Sequence, residues 1–132
     1  MFIAAYPSFD PRELVATDKI WKFIENDDDK RLIIFNGELC RLRNDYFPSL
    51  FYPEMARLSK ELIPLIETVY YIHNFKGVGG GVLYRCYPGP WQVFLRLQDG
   101  EAVLVYEDEK RPSLKEVSLD IIPSAIRNYG KS

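Results

Sequence analysis

Residues 76–81 form a glycine-rich run, and they come closest to a motif that could bind phosphate. Backbone N–H groups in such a run can cradle a phosphate group. A phosphate-binding P-loop, however, ends in Gly-Lys-Ser/Thr, whereas Val82 and Leu83 follow the run here. A dinucleotide-binding loop opens a helix, and the residues after this run are typical of a strand. The pattern therefore favours a connection between two strands, with phosphate binding as the alternative.

A second, weaker candidate is a crevice at Asn36, Gly37 and Glu38, which follow the apolar run 32–35. That run is predicted to be a parallel strand, and open α/β sheets usually bind ligands at the carboxyl ends of such strands. Asn36 and Glu38 would then face the crevice, and residues 76–81 would converge with them at one sheet edge. The favoured interpretation is a turn with Asn or Gly in the left-handed conformation.

The other reactive side chains are isolated from one another in the sequence. His73 is the only histidine and lies in a predicted strand, which favours a structural role over a base or ligand. Cys40 and Cys86 form no C-x-x-C pair, so two reduced thiols are favoured over a redox-sensitive disulfide. Asp27-Asp28-Asp29 lacks the spacing of a calcium-binding EF-hand loop and is predicted to be a solvated turn. We therefore predict no catalytic residues, cofactor or metal, and no enzymatic activity of this chain by itself.

The composition narrows the class of protein further. A chain of 132 residues is predicted to form a single domain, residues 1–132, that buries about two thirds of its surface. Its net charge of −2, with 17 basic residues dispersed among 19 acidic ones, argues against nucleic acid as a partner. No apolar run approaches the ~20 residues that span a bilayer, so we predict no membrane span. The strand beginning at Phe2 starts abruptly, and we expect the chain to be the C-terminal part of a larger domain.

The N-terminal half has the pattern of alternating strands and helices. Two apolar runs, residues 2–6 and 32–35, are predicted to be parallel strands buried on both faces. Between them Asp10 and Pro11 open a helix that ends near Asn26. Short connections imply a right-handed βαβ unit. A helix opened by Pro53 and a third strand over residues 68–75 would complete a βαβαβ portion, residues 1–75.

The C-terminal half is predicted to be an antiparallel meander over residues 82–106. Asp99-Gly100 is a strong hairpin signal. In the middle strand Val93 and Leu95 would face the core, and the opposite face would be mostly polar. A capping-box spacing at Ser113 starts a short last helix limited by Pro123, and residues 127–132 would form a tail. The predicted fold class is α/β, a mixed sheet with an N-terminal parallel βαβ portion followed by the meander.

Two stretches combine aromatic side chains with prolines and are candidates for protein contacts. Aromatic and arginine side chains often anchor interfaces. Phe51 and Tyr52 in the loop 44–53 are the secondary candidates, and the alternative for both stretches is that the rings fill the core. The primary candidate interaction surface consists of Tyr84, Arg85, Tyr87, Pro88, Pro90 and Trp91.

Two motifs carry a resemblance to a known family. They are Phe35-Asn36-Gly37-Glu38-Leu39 and Leu83-Tyr84-Arg85-Cys86-Tyr87-Pro88-Gly89-Pro90-Trp91-Gln92-Val93, with Asp99-Gly100 after the second. With these motifs the chain resembles an uncharacterised chloroplast and cyanobacterial domain family. Its members include the low-photosystem-II-accumulation assembly proteins, and a related domain lies C-terminal to a plastid adenylate kinase.

The resemblance implies a function without adding any catalytic residue. It implies a non-enzymatic protein-interaction domain in the chloroplast, in the stroma or at the thylakoid surface. Its partners would be photosystem subunits, assembly factors or the rest of its own parent chain. The alternative that it implies is an accessory nucleotide- or phosphate-binding domain of a plastid adenylate-kinase-like protein.

Overall fold

A computed structural model describes residues 1–5, 7, 10–37, 39, 42, 48–76 and 79–129 of the chain. The chain divides into two compact units, Met1–Glu67 and Thr68–Ser132. Both units combine helices with strands, and together they confirm the predicted α/β class. The strands form two separate sheets, a parallel pair in the first unit and an antiparallel set of four in the second.

The first unit begins with the predicted βαβ arrangement. Strands β1 and β2 pair in parallel, with Phe2 opposite Leu32 and Ala5 opposite Phe35. Within the described residues, the elements of this unit are β1 (Phe2–Ala5), α1 (Pro11–Ile24), β2 (Leu32–Phe35), α2 (Pro53–Glu61) and a 3₁₀ turn (Ile63–Leu65).

Helix α1 begins as its sequence predicts. The Asp10 carboxylate accepts a hydrogen bond from the Arg12 backbone N–H at 2.9 Å, and Pro11 occupies the first helical position. The Arg12 guanidinium also donates to this carboxylate and holds the pKa of Asp10 below its ordinary value. Because the cap satisfies one of the unpaired N–H groups of the first turn, it fixes where the helix starts.

The prediction that β1 and β2 are buried on both faces is wrong. Burial alternates along both strands, and Ile3, Ile33 and Phe35 are exposed. The buried cluster of this unit includes Leu14, Met55 and Leu58, which lie on α1 and α2 rather than on the strands. In the described part of the unit, apolar side chains therefore occupy an uncovered face of this sheet, which an apolar run alone does not reveal.

Helices α1 and α2 are joined by an ion pair that the sequence did not indicate. Asp18 is buried, and its carboxylate lies 2.8 Å from the Arg57 guanidinium and 3.3 Å from the Lys22 amine. Arg57 also reaches Glu61 at 2.8 Å, and the two carboxylates raise the pKa of Arg57. Asp18 thus positions the two helices, since a buried carboxylate needs charged partners.

The second unit contains a four-stranded antiparallel sheet in the order β3-β4-β5-β6, which confirms the meander. Strand β3 pairs with β4, so it belongs to this sheet and not to the predicted βαβαβ portion. The connection from β3 to β4 is short enough for a hairpin, whereas parallel pairing would need a longer crossover. The strands are β3 (Tyr70–Asn74), β4 (Gly81–Cys86), β5 (Trp91–Arg96) and β6 (Ala102–Asp108).

The hairpin between β5 and β6 has the predicted turn. The Gly100 N–H donates to the Leu97 carbonyl at 3.2 Å, and Gly100 has φ +90°. A residue with a side chain rarely adopts this φ, so the Asp-Gly signal reflects a backbone requirement. A register shift between Val93 and Phe94 places a β-bulge in the pairing of β5 with β6.

The chain from residue 114 to 129 forms one helical segment, named here the C-terminal helical segment. It consists of α3 (Leu114–Glu116), a π-helical turn (Val117–Ile121) and α4 (Ile122–Tyr129). The predicted capping box is confirmed, because the Ser113 hydroxyl accepts from the Glu116 N–H and the Glu116 carboxylate accepts from the Ser113 N–H.

Pro123 does not end this segment as predicted, and residues 127–129 are helical rather than part of a tail. Proline lacks the N–H that an α-helix needs at this position. The preceding turn widens instead, and the Ile122 N–H donates to the Val117 carbonyl five residues back. Residues 130–132 lie outside the described part of the chain.

One face of the antiparallel sheet packs against the C-terminal helical segment. Val93 and Leu95 are buried there, as predicted for the core side of β5. Because side chains alternate along each strand, the residues between them face away from the helices. The buried cluster of this unit consists of Leu83, Trp91, Val93, Leu95, Val117, Ile122 and Ala125.

Candidate functional site

The face of the antiparallel sheet that points away from the C-terminal helical segment carries a row of apolar side chains. Tyr70 is 61% exposed, Ile72 55% and Leu104 43%, although all three belong to regular strands. Every strand contributes to this surface. It is named here the open sheet face and consists of Tyr70, Ile72, Tyr84, Phe94 and Leu104.

Three aromatic rings connect the strands of the open sheet face. The rings of Tyr70 and Tyr84 meet edge to face with centroids 5.8 Å apart, and those of Tyr84 and Phe94 do so at 6.4 Å. Ile72 lies opposite Tyr84 in the register, and Leu104 lies opposite Phe94. The apolar side chains therefore form one continuous surface that runs from β3 to β6.

Tyr84 lies at the centre of this surface, and its hydroxyl stays neutral. Partial burial, followed by the contact with Cys86, raises the pKa of Tyr84 above its ordinary value. A neutral phenol combines an apolar ring with a hydrogen-bonding group, which is why tyrosine is frequent at interfaces. The residue can therefore contact an apolar partner and also donate a hydrogen bond to it.

Polar side chains border the open sheet face. The Gln92 amide donates to the Glu107 carboxylate at 2.6 Å, across β5 and β6. Near the other end, the Arg96 guanidinium donates to the Asn74 side-chain carbonyl at 3.4 Å. An apolar centre with a polar rim is the usual anatomy of a protein–protein interface.

The primary candidate surface of the sequence analysis is split between the two faces of the sheet. Trp91 is only 3% exposed and is a core residue, whereas Tyr84 lies on the open sheet face. Tyr87 and Pro88 are exposed in the turn between β4 and β5, where the Tyr87–Pro88 peptide is cis. Pro90 is half-buried. Neighbouring strand residues point in opposite directions, which separates these rings.

Arg85 lies on the face of the sheet that contains Trp91. Its guanidinium is 5.3 Å from the centroid of the Trp91 ring and 5.9 Å from that of Tyr87. Its Nε also donates to the Gly89 carbonyl at 3.4 Å. Arg85 therefore connects the turn to the core instead of belonging to the open sheet face.

Four residues of the open sheet face were not among the predicted site residues, namely Tyr70, Ile72, Phe94 and Leu104. Each occupies a strand position opposite or diagonal to Tyr84 or Phe94. The signal that identifies them is an apolar side chain on the face that alternation assigns away from the core. In the secondary region, Phe51 and Tyr52 are exposed, while residues 44–47 lie outside the described part of the chain.

The described glycines of the glycine-rich run allow close packing. Gly79 has φ +68°, and a Cβ there would lie 2.5 Å from the Ile126 side chain. A Cβ on Gly81 would lie 2.7 Å from the Phe94 carbonyl oxygen and 2.8 Å from Ile122. These contacts explain both glycines, because the chain at the start of β4 packs too closely for a side chain. The run connects β3 to β4, which agrees with the favoured interpretation of a connection between two strands. Residues 77 and 78 lie outside the described part.

The weak crevice candidates also have a structural explanation. Asn36 has φ 53°, which confirms the favoured left-handed turn. A Cβ on Gly37 would lie 2.7 Å from the Ile34 side chain. Glu38 lies outside the described residues. The expected convergence with residues 76–81 at one sheet edge is wrong, because β2 and β3 belong to different sheets.

The isolated reactive residues do not assemble into a catalytic arrangement in the part of the chain that the structure describes. The His73 ring lies among aromatic neighbours, 6.4 Å from Tyr71 and 4.8 Å from Phe75 between centroids. Cys86 is exposed with a free thiol, and Cys40 is outside the described residues. Within the described ranges, no three His, Cys, Asp or Glu side chains are placed to hold a metal ion. The described helices include none long and apolar enough to cross a membrane.

The fold defines an α/β protein with a parallel strand pair and a helix-backed antiparallel sheet that is open on one face. Residues 1–119 match a family described as a domain of unknown function, DUF1995, and the chain therefore belongs to this family. The match includes both motifs on which the resemblance rests, the whole antiparallel sheet and α1 to α3. No curated protein and no solved structure matches the chain.

Proposed function

We propose that the chain is a non-enzymatic protein-binding domain and that the open sheet face is its binding surface. The observation that carries the proposal is the continuous row of Tyr70, Ile72, Tyr84, Phe94 and Leu104, which is apolar and faces solvent. Soluble proteins seldom expose large contiguous apolar patches unless the patch binds a partner.

The shape and chemistry of this surface favour a protein over a small molecule. Small-molecule sites are usually concave and enclose most of their ligand. The open sheet face instead lies across four strands, with an aromatic centre and the polar pairs Gln92–Glu107 and Arg96–Asn74 at its rim. Aromatic rings surrounded by polar contacts are typical of the residues that contribute most binding energy in protein interfaces.

The same surface is poorly suited to nucleic acid. Single-stranded nucleic acids stack bases on aromatic side chains, but their binding also needs cationic groups that follow the phosphates. On this face the guanidinium of Arg96 is engaged by Asn74, and Glu107 adds a negative charge near Gln92. With a net charge of −2 for the whole chain, the electrostatics favour a protein partner.

We propose the chloroplast stroma or the thylakoid surface as the place where the domain acts, in the assembly of photosystems. The support is the resemblance of residues 35–39 and 83–93 to assembly proteins of low photosystem II accumulation. The partners would be photosystem subunits or assembly factors, or the rest of the parent chain. Membership in a family of unknown function is compatible with this role.

The test compares two charged substitutions of similarly exposed apolar residues, Ile72 at 55% and Leu119 at 61%. Ile72→Glu places a carboxylate in the open sheet face, and Leu119→Glu places one on the helical segment. Tagged proteins are used to capture partners from solubilised chloroplast membranes and stroma. The dissociation constant of each purified partner is then measured. We expect Ile72→Glu to weaken binding roughly 30-fold, as for an interface residue that contributes about 2 kcal/mol.

Leu119→Glu is the matched control and is expected to bind like the unchanged protein. Circular dichroism and thermal melting establish that both variants are folded. Equal affinity of the two variants would show that the open sheet face is not the binding surface. Recovery of no photosystem subunit or assembly factor would contradict the proposed partners.

A further inference from the structure

A groove of about 710 Å³ lies between β6 and the C-terminal helical segment, and it shares Leu104 with the open sheet face. Its volume is in the range of about 300–1,000 Å³ that is usual for ligand sites. Leu104 and Val105 line it from the strand, and Ile121 and Tyr129 line it from the helical segment. The groove is therefore a channel with mixed apolar and polar walls that follows the side of a strand.

The strand along this groove has one side without a neighbouring strand in the described residues. Strand β6 is an edge of the sheet and pairs only with β5 there. The Leu97 N–H donates to the Glu101 carbonyl at 2.8 Å, so the backbone groups of Glu101 point toward β5. From there, successive residues of β6 point their backbone groups alternately away from β5 and toward it. By that alternation the N–H and C=O groups of Ala102 and Leu104 point outward from the sheet. An edge of this kind is a template on which another chain can pair.

The groove is acidic. Glu116 and Asp120 line it, and none of the described residues around it is Lys or Arg. Tyr106 also lines the groove. Burial raises the pKa of Tyr106, and so do the nearby carboxylates of Asp108 and Glu116. A cationic ligand is favoured in such a field, and an anionic one is disfavoured.

We propose that this groove binds an extended, basic segment of another protein, which pairs with β6 as a fifth strand. The segment would hydrogen-bond to the outward backbone groups of Ala102 and Leu104. Its alternate side chains would enter the groove, and the Lys or Arg side chains among them would pair with Asp120 and Glu116. Strand addition gives affinity through the main chain, and the groove gives specificity through alternate side chains.

Charge disfavours the competing occupant, a second copy of this chain paired through β6. Four acidic residues lie within the strand or directly next to it, so two antiparallel copies would bring carboxylates together along the new ladder. Like charges opposite each other destabilise strand pairing. The four acidic residues are Glu101, Glu107, Asp108 and Glu109. The inference deepens the proposed protein-binding function by naming the chemistry of a partner segment, and it uses a groove that has only Leu104 in common with the open sheet face.

The experiment uses the full chain and three synthetic eight-residue peptides with blocked ends. The first alternates valine and lysine, the second alternates valine and glutamate, and the third is the first with prolines at two valine positions. Calorimetric titration measures their affinities. Amide chemical shifts of Ala102, Leu104 and Val105 report the location of binding. We expect the lysine peptide to bind and to shift these amides, and the other two to bind at least 10-fold more weakly.

Asp120→Lys tests the charge in the groove, and Asp28→Lys makes the same charge change at an exposed turn of the other unit. We expect Asp120→Lys to weaken lysine-peptide binding at least 10-fold, and Asp28→Lys to change it less than 2-fold. Equal binding by the two variants would overturn the proposal. So would no binding of the lysine peptide at millimolar concentration, or equal binding of the proline peptide.

The proposals for the two surfaces can be disproved independently of each other. Ile72→Glu is expected to retain lysine-peptide binding, because Ile72 lies on β3, at the other edge of the sheet from β6. Partner capture that depends on Ile72, without peptide binding, would remove the groove proposal and leave the open sheet face. Peptide binding that depends on Asp120, without such capture, would remove the open sheet face and leave the groove. Concentration-dependent dimerisation abolished by Asp120→Lys would show that a second copy is the occupant and would overturn the proposal.

Discussion

Two guanidinium groups lie close to the indole ring of Trp91. Arg85 is 5.3 Å and Arg111 is 5.2 Å from the ring centroid, and the Tyr71 ring approaches at 5.4 Å. Both arginines are within the distance at which cation–π attraction operates. Because Trp91 is also buried among aliphatic side chains, it fills the core and gives the two arginines a common contact surface.

Removing this ring is expected to destabilise the second unit strongly. We predict that Trp91→Ala lowers the free energy of unfolding by about 3–5 kcal/mol, as for other buried Trp side chains. Tyr87→Ala, in the adjoining turn and at an exposed position, is expected to change it by about 0.5 kcal/mol or less. Urea denaturation of the two variants measures the difference. Similar midpoints for both would contradict the core role of Trp91.

At the scale of residues, the sequence singled out an aromatic segment but did not assign its rings to the two faces of the sheet. Tyr84 and Trp91 were predicted to share one surface, and the structure places them on opposite faces of the sheet. Aromatic character is the same for both rings, and only the pairing of β4 with β5 assigns each to a face. A shift of one residue in that pairing would place both rings on the same face.

At the scale of elements, the close packing of a helix against the start of a strand requires glycine in the run 76–81. Gly79 and Gly100 both have positive φ, so a side chain strains the backbone at either position. A Cβ on Gly79 would collide with Ile126, whereas a Cβ on Gly100 would meet nothing within 4 Å. A substitution at Gly100 therefore causes backbone strain alone, whereas a substitution at Gly79 causes backbone strain and steric overlap.

We predict that Gly79→Ala destabilises the protein more than Gly100→Ala does. The difference is expected to be about 1–3 kcal/mol, which is typical of overpacking. Thermal denaturation of both variants measures it, and Gly79→Ala should cost less stability in an Ile126→Ala background than in the unchanged protein. A larger effect of Gly100→Ala would show that the contact with Ile126 is relaxed. The same samples can be melted with millimolar ATP, since phosphate binding at this run would raise the melting temperature.

Local signals predicted element boundaries well where one residue fixes the backbone. Asp10 and Ser113 cap helices as expected, and Gly100 makes the predicted hairpin turn. Prediction failed where the outcome depends on distant partners. Strand β3 joins a sheet that its own residues do not specify. The helical segment passes Pro123, because a widened turn there accommodates the missing N–H.

At the scale of the whole molecule, each unit has its own buried cluster. Leu58 is fully buried in the cluster of the first unit, and Leu83 is fully buried in that of the second. Sequence predicted one domain over residues 1–132, and composition and length alone do not show how the buried residues group within it. The separation into Met1–Glu67 and Thr68–Ser132 is visible only once contacts are known.

Because each unit has its own buried cluster, a substitution that leaves a cavity in one unit is expected to destabilise mainly that unit. We predict that Leu58→Ala and Leu83→Ala each cost about 2–5 kcal/mol, since both delete a fully buried side chain. In hydrogen exchange, Leu58→Ala should reduce amide protection in α1 and α2 more than in β4 and β5. Leu83→Ala should show the reverse. Uniform loss of protection across both units in either variant would contradict this expectation.

The exposed thiol of Cys86 allows a reporter group to be attached beside the open sheet face. Cys86 lies opposite Tyr70 in the register and at the end of β4. In a Cys40→Ser background, a fluorophore or spin label attached there would stand beside the Tyr70 and Tyr84 rings. Its emission or mobility would change whenever a partner covered those rings. The protein thus carries its own attachment point for a reporter, and occupancy of the surface can be followed in real time.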